Sequence, residues 1–121
     1  MEHILVVDDD SDILDALQFV LEDSGYSVKI TEEGEEAEKL LTADNLPRLI
    51  ILDVLLSGMD GRDIVKKLKT NKRTSKIPII MISAHPTAKK SVLEAGANSF
   101  LPKPFDVDEL LQTIKHALRV S

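Results

Sequence analysis

The sequence predicts an α/β domain built on a parallel β-sheet. Three unbroken aliphatic runs have the composition of strands that are covered on both faces: Ile4–Val7, Leu49–Leu52 and Ile79–Ile82. Amphipathic helical patterns alternate with the strand patterns and use the whole chain of 121 residues. Parallel strands joined in this way are expected to have right-handed crossovers.

Two weaker segments complete a set of five strands. Val28–Ile30 and Ser99–Leu101 are short, so they suit the edges of the sheet. Pro102 supports the edge position of the last one, because proline within sheets is confined to edges and strand ends.

Five amphipathic helices are predicted between and after these strands. Ser11 is the expected N-cap of the first, and Gly25 its stop. Gly96 is expected to end a short fourth helix, and Asp106 with Glu109 predicts a capping box at the start of the fifth. The apolar positions that define the five faces are, in chain order, Ile13, Leu14, Leu17, Val20, Leu21; Ala37, Leu40, Leu41; Ile64, Val65, Leu68; Val92, Leu93, Ala95; and Val107, Leu110, Leu111, Ile114, Leu118.

The composition excludes several classes of function. Twenty-one acidic against fifteen basic residues give a net charge of −6, which argues against a general binder of nucleic acid or of anionic membranes. The absence of cysteine excludes disulfides, iron–sulfur clusters, thiolate zinc and a cysteine nucleophile. Aromatic residues make up only 3%, too few for a surface that stacks single-stranded RNA.

No targeting or membrane-spanning segment is evident. The chain starts Met1-Glu2-His3 and lacks the basic start and long apolar core of a signal peptide. Its apolar runs fall far short of the roughly 20 residues that cross a bilayer. A soluble, cytoplasmic domain is therefore expected.

Polar residues stand where the predicted strands end. Asp8-Asp9-Asp10 follows the first strand, Asp53 ends the third, Ser83 ends the fourth, and Lys103 follows the fifth. In open α/β sheets, ligands bind outside the carboxyl ends of the strands. These residues are therefore the candidates for a functional site.

Carboxylates from two strands that meet on one edge repel each other, and a divalent cation removes that conflict. An all-oxygen, water-accessible set suits Mg²⁺. Asp8–Asp10 alone could also be a solvated helix entrance, since acidic residues favour helix N-termini. Asp53 has no such role, because it ends the apolar segment Leu49–Leu52.

Lys103 and Ser83 add a cation and a hydroxyl to this group. Lys103 lies between Pro102 and Pro104, which fix its backbone, so it can pair with a carboxylate or a phosphate. Each residue alone also has an ordinary structural explanation, Lys103 as a solvated lysine and Ser83 as a satisfied hydroxyl. The combination of Lys103 and Ser83 with the carboxylates is what indicates a functional site.

In order and spacing, four segments resemble the receiver domain of two-component response regulators: Ile4–Asp10, Leu52–Gly61, Ser83-Ala84 and Lys103–Phe105. The resemblance covers residues 1–121 as one receiver domain. It implies a three-layer flavodoxin-like (βα)5 fold with a central parallel sheet of strand order 2-1-3-4-5. It also implies a phosphorylation-activated switch that assists its own phosphoryl transfer and autodephosphorylation, and not an enzyme in the ordinary sense.

The resemblance also implies roles for the acidic residues. Asp53 would accept the phosphoryl group. Asp9 would bind Mg²⁺ directly, Asp8 would act largely through a water, and the Leu55 backbone carbonyl would complete the protein ligands. Mg²⁺ is the expected cofactor.

Four further residues take roles from the same resemblance. Ser83 would bond a phosphoryl oxygen and Lys103 would pair with another. Phe100 occupies the aromatic switch position, where it could also be an ordinary core residue. Pro104 is expected to follow a cis peptide bond.

The expected partners follow from the family. The phosphoryl donor would be the phosphohistidine of a sensor histidine kinase or of a histidine phosphotransfer protein. The output, an unknown protein or domain, would be controlled through the face formed by the fourth helix, fifth strand and fifth helix. Neither direct nucleic-acid nor membrane binding is expected, and the sequence leaves open both a homodimer on phosphorylation and the choice between a stand-alone regulator and a domain of a longer protein.

Asp10 stands where the family usually has Glu, and three further features depart from the family pattern. Ser57 replaces a common proline, which should loosen the loop after the acceptor. The segment Ser83–Gly96 is shorter than usual and contains Pro86, so the fourth helix is expected to be short or displaced. Leu55 and His85 flank the acceptor: Leu55 would shield it from water and His85 is expected to be an exposed loop residue, which together predict slow autodephosphorylation.

Two charged runs are interpreted as solvated helix surfaces. The acidic run would form the start of the second helix, and the basic run the exposed face and end of the third, where cations suit the helix dipole. Their members are Glu32, Glu33, Glu35, Glu36 and Glu38, and Lys66, Lys67, Lys69, Lys72, Arg73 and Lys76.

Two competing functions remain. Asp8-x-Asp10 resembles the nucleophile pair of haloacid-dehalogenase-type phosphatases, although that family leaves Asp53 unexplained and the chain is short for a cap domain. A constitutive interaction module, whose acceptor is never used, is the other alternative.

Overall fold

A computed structural model describes residues 3–120, with only the backbone of Val120; residues 1, 2 and 121 of the predicted domain lie outside the described part. Five parallel strands form the central sheet, and we number these alone. Their order is 2-1-3-4-5, with the two predicted edge strands at its edges. The predicted α/β fold is therefore confirmed. The strands are β1 Ile4–Val7, β2 Val28–Thr31, β3 Leu49–Asp53, β4 Ile79–Ser83 and β5 Ser99–Pro102.

Five α-helices connect and follow the strands: α1 Ser11–Asp23, α2 Gly34–Glu38, α3 Gly61–Lys69, α4 Lys89–Ala95 and α5 Val107–Val120. A 3₁₀ turn, Lys39–Leu41, extends α2, and another, Pro86–Ala88, precedes α4. The fourth helix has seven residues, so the prediction of a short helix is confirmed. None of the helices in the described part is long and apolar enough to cross a membrane.

Two apolar layers cover the two faces of the sheet. On one face, α1 and α5 pack on the sheet through side chains such as Leu14, Leu17, Leu110 and Ile114. On the other face lie α2, α3 and α4. The side chains of β1, β3 and β4 contribute alternately to both layers, because successive residues of a strand point to opposite faces. The continuous aliphatic runs reflect this burial on both sides.

The N-cap prediction for α1 is wrong by one residue. Asp10 is the cap: its side chain accepts a hydrogen bond from the Asp12 N–H at 2.9 Å, and Ser11 is already helical. Asp10 and Ser11 both belong to the residue types that favour caps, so composition alone does not distinguish them. At α5, Asp106 accepts from the N–H of Glu109, which is one of the two hydrogen bonds of the predicted capping box.

The basic run is only partly a solvated surface. Lys69 is half-buried, and its ammonium group donates to the carbonyls of Ile77 at 2.7 Å and Ser75 at 3.3 Å. Lys67 forms an ion pair of 2.5 Å with Glu38, which joins the predicted acidic and basic helix surfaces. Lys69 therefore holds the chain that follows α3, a role that its position in a charged run does not reveal.

A short antiparallel hairpin lies between β3 and α3. Leu55–Leu56 pairs with Met59–Asp60, and we call this element the short hairpin. Ser57 and Gly58 form its two-residue turn, with Gly58 at φ 74°. The hairpin directly follows Asp53 and so belongs to the edge of the sheet where the site lies.

Candidate functional site

The carboxyl ends of β1 and β3 bring three carboxylates together. These strands are neighbours in register, with Val7 opposite Leu52, so the residues that come next, Asp8 and Asp53, share one edge. Carboxylate oxygens of Asp8, Asp9 and Asp53 lie within 4.8 Å of one another. Asp8 has no exposed surface and Asp53 is 7% exposed, whereas Asp9 is exposed to solvent.

Lys103 pairs with two of the three carboxylates. Its Nζ lies 2.9 Å from Asp8 Oδ2 and 3.4 Å from Asp53 Oδ2. The backbone N–H of Lys103 donates to the Ser83 carbonyl at 2.7 Å, which fixes Lys103 directly beside the end of β4. The Lys103–Pro104 peptide bond is cis, as predicted.

The environment shifts the pKa values of Asp53 and Lys103. Burial and, next, the charge of Asp8 raise the pKa of Asp53 from 3.8 to about 6, although Lys103 opposes the shift. Burial alone would lower the pKa of Lys103, but the carboxylates of Asp8 and Asp53 outweigh it and raise that pKa. The cluster therefore carries a net negative charge at pH 7, with a lysine that stays protonated.

The donor set fits Mg²⁺. All the candidate side-chain ligands are carboxylate oxygens, which a hard cation prefers. Asp8 Oδ2 is buried and forms an ion pair with Lys103 at 2.9 Å, but it accepts no hydrogen bond from the described residues. A buried carboxylate oxygen in this condition still has acceptor capacity for a cation or its water. The predicted contribution of the Leu55 carbonyl stays a prediction.

Ser83 lies on the strand next to Asp53. It is 2% exposed, and its Oγ accepts a hydrogen bond from the His85 N–H at 3.0 Å. A cleft of about 250 Å³ opens beside it, lined by Leu55, Arg62 and His85 among others. The His85 side chain is exposed, in agreement with its interpretation as a loop residue.

Phe100 is farther from the carboxylates, on the edge strand β5. It is partly buried and packs against the apolar layer under α2, α3 and α4. It also lines a shallow groove between α4, β5 and α5, which Leu93 and His116 line as well. Its predicted switch role stays a prediction.

Ser57 makes a contact that the sequence did not predict. Its hydroxyl donates to Asp9 Oδ2 at 2.8 Å and so joins the short hairpin to the loop after β1. The departure from proline marked the position as unusual, but only the fold reveals that Asp9 lies within reach.

Gly61 and Arg62 hold the short hairpin, and sequence reasoning missed both. The Gly61 N–H donates to the Val54 carbonyl at 2.6 Å, and a Cβ on Gly61 would lie 2.3 Å from the Asp53 carbonyl oxygen. Two guanidinium nitrogens of Arg62 donate hydrogen bonds to the Asp60 carboxylate, at 2.9 and 2.7 Å. A third donates to the Ser91 hydroxyl of α4 at 2.9 Å. The glycine in the segment Met59-Asp60-Gly61 was the available signal for close backbone packing.

Comparisons with known proteins agree with this geometry. The family model for the response regulator receiver domain matches residues 4–115. The response regulator MprA of Mycobacterium sp. (strain KMS) is 37% identical over 119 residues, which are 97% of this chain and 50% of MprA. The chain thus spans about half the length of the curated relatives it matches.

Solved structures show the same relationship. The crystal structure of a putative response regulator from Chloroflexus aurantiacus J-10-fl superposes with a TM-score of 0.89 at 38% identity, covering 98% of this chain and 99% of the other. The receiver domain of NtrX from Brucella abortus superposes with a TM-score of 0.87 at 34% identity, covering 98% and 99%. The chain therefore belongs to the response regulator receiver domain family of two-component signalling.

Proposed function

We propose that residues 1–121 act as a phosphorylation-controlled switch in which Asp53 accepts a phosphoryl group. The observation that carries the proposal is the position of Lys103, whose ammonium group lies near Asp53 and Asp8 at the carboxyl edge of the sheet. A nucleophilic carboxylate, a fixed cation and a set of oxygen ligands thus surround one point. Phosphoryl transfer depends mainly on such positioning and neutralisation of charge.

Asp53 suits the role of the nucleophile. Its pKa of about 6 leaves the carboxylate largely ionised at pH 7. One carboxylate oxygen forms a bond to phosphorus while the P–N bond of the phosphohistidine breaks. The leaving imidazole keeps the electron pair of that bond, and it departs neutral because its other ring nitrogen carries a proton before the transfer.

Asp8, Asp9 and Asp53, with the Leu55 carbonyl, would hold Mg²⁺, and the fit of their oxygen donors supports this. When bound, Mg²⁺ supplies positive charge that offsets the carboxylates and the incoming phosphoryl group. Lys103 contributes a second, permanent positive charge. Because it is anchored at its backbone to Ser83, it stays at the site as charge accumulates.

Ser83 would respond to phosphorylation by forming a hydrogen bond to the phosphoryl group. Its oxygen already accepts from the His85 N–H, which leaves the hydroxyl hydrogen to donate to a phosphoryl oxygen. A shift of Ser83 would move the loop that begins at its neighbour and leads into α4. Phe100, half-buried beside that helix, would then change its packing, which is the second part of the switch.

The partners follow from this reaction. The donor would be a sensor histidine kinase or a histidine phosphotransfer protein, and the domain would work in the cytoplasm. The face of α4, β5 and α5, where Phe100 lines a groove with Leu93, would control an output protein or domain.

Two titrations and one turnover assay separate this function from its alternatives. NMR spectra recorded with Mg²⁺ and then with beryllofluoride, a mimic of the phosphoryl group, should shift the amides of Asp9, Asp53 and Ser83. Spectra that change with neither would favour a constitutive interaction module. Turnover of p-nitrophenyl phosphate that depends on Asp8 and not on Asp53 would favour the phosphatase alternative.

A further inference from the structure

We propose that Ser57 is a positioning residue for Asp9: its hydroxyl holds the one exposed carboxylate of the cluster in the orientation that binds Mg²⁺. The inference rests on the proposed magnesium-dependent function. It assigns a task to the position at which this chain carries serine in place of the proline common in the family.

The three carboxylates of the cluster are held in different ways. Lys103 pairs with Asp8 and Asp53 but, among the described residues, no cation pairs with Asp9. Ser57 is the one side chain of residues 3–120 that donates a hydrogen bond to Asp9, at 2.8 Å. The fixed orientation of Asp9 therefore depends on Ser57.

Electrostatic repulsion makes this hydrogen bond consequential. Asp8 and Asp53 have carboxylate oxygens within 4.8 Å of that of Asp9, so an exposed Asp9 side chain would favour rotamers that point away into solvent. A hydroxyl donor stabilises the ionised carboxylate where it is and restricts its rotation. A cation then binds without first having to order that side chain.

The hydrogen bond leaves Asp9 able to bind a cation. Ser57 occupies one lone pair of Oδ2, and an ionised carboxylate offers about four acceptor sites. Contact with the hydroxyl and contact with a metal ion are therefore compatible on the same side chain. The Ser57 hydroxyl supports the site without competing for it.

The short hairpin positions Ser57 through backbone pairing. Its two strands are paired at Leu56 and Met59 on either side of the Ser57-Gly58 turn. The chain just after it is fixed by the hydrogen bond from Gly61 to the Val54 carbonyl at 2.6 Å. The Ser57 hydroxyl is thus fixed relative to Asp53, which lies at the start of the same connection between β3 and α3.

Isothermal titration of the purified chain with MgCl₂ tests the inference. Ser57→Ala should raise the Mg²⁺ dissociation constant about three- to tenfold, the effect of ordering one exposed charged side chain. Ser57→Thr, which keeps the hydroxyl, should stay within about twofold of the unaltered protein. Ser24→Ala, which removes an exposed serine hydroxyl at the far end of α1, is the matched control and should have no effect.

The thermal midpoint of the metal-free proteins shows whether a variant has simply lost stability. Equal midpoints together with weaker Mg²⁺ binding in Ser57→Ala alone would support the positioning role. Unchanged or tighter binding by Ser57→Ala would overturn it and leave the proposed function intact. Failure of the unaltered protein to bind Mg²⁺ would overturn the magnesium-dependent function itself, and this inference with it.

Discussion

The ammonium group of Lys103 lies 2.9 Å from Oδ2 of Asp8, a carboxylate with no exposed surface. An ionised side chain in that position is costly to bury unless a partner of opposite charge accompanies it. Lys103, which follows the last strand of the sheet, thus supplies the positive charge that compensates the buried carboxylate of Asp8, which follows the first strand. The acidic site and the stability of the fold depend on the same ion pair.

Replacing Lys103 with Met should lower the free energy of unfolding by about 2–3 kcal/mol at pH 7 without Mg²⁺. The substitution keeps the length of the side chain but leaves Asp8 and Asp53 to repel each other without a cation. Urea unfolding followed by circular dichroism measures the change.

The pair itself is isolated by a double-mutant cycle with Asp8→Asn. Loss of Lys103 should cost clearly less in the Asp8→Asn background, with a coupling of about 1–3 kcal/mol. Additive losses would show that Lys103 does not stabilise the fold through its ion pair with Asp8.

The pKa of Asp53 predicts a pH dependence of stability in metal-free protein. Because this pKa is raised from 3.8 to about 6, the folded state holds its proton more tightly than the unfolded state. Stability should therefore fall as the pH rises from about 4 to 6 and remain reduced above that range. Asp53→Asn removes the free-energy cost of ionising this buried carboxylate. The variant should therefore be more stable than the unaltered protein at pH 7 by about 1–2 kcal/mol, after allowance for solvent screening.

Thermal midpoints measured in EDTA from pH 4 to pH 8 test this prediction. The advantage of Asp53→Asn should shrink toward pH 4 and also on addition of Mg²⁺ to the unaltered protein. A variant that is less stable than the unaltered protein at every pH would show that burial does not oppose ionisation of Asp53.

Gly61→Ala should destabilise the protein severely, by about 3 kcal/mol or more. An added Cβ would lie 2.3 Å from the carbonyl oxygen of Asp53, and backbone cannot yield as a flexible side chain does. Gly25→Ala is the comparison: that glycine has φ 94° but open space around it, so only the backbone preference of about 1–2 kcal/mol is lost. Equal effects in chemical denaturation would contradict the steric explanation.

Autodephosphorylation should be slow. Leu55 comes two residues after the acceptor and lines the same cleft as Ser83, and its apolar side chain cannot orient a water for attack. The exposed His85 side chain offers no support for proton transfer from within the site. Decay of phosphorylated protein within seconds at neutral pH, followed by electrophoresis, would contradict this prediction.

The sheet and the choice of site residues could be predicted from the sequence for a simple physical reason. A strand buried on both faces needs an unbroken apolar run, so a polar residue such as Asp53 at the end of Leu49–Asp53 is conspicuous. The carboxyl ends of parallel strands share one edge, so the strand pattern alone predicts that Asp8 and Asp53 lie close together.

Contacts between loops could not be predicted in this way. The hydrogen bond from Ser57 to Asp9 joins residues 48 positions apart, and neither residue belongs to a periodic pattern. The same holds for Lys69, which bonds backbone carbonyls although its neighbours suggest a solvated charged surface. Such contacts depend on loop conformation, which short-range residue preferences do not determine.

The most direct test of the central claim is phosphorylation with acetyl phosphate and Mg²⁺, followed by electrophoresis in a gel that retards phosphoproteins. The unaltered protein should give a retarded band that requires Mg²⁺, and Asp53→Asn should give none. Lys103→Arg, which keeps the positive charge and is therefore expected to fold, is the comparison variant in this assay. A retarded band that persists in Asp53→Asn would contradict the assignment of Asp53 as the phosphoryl acceptor.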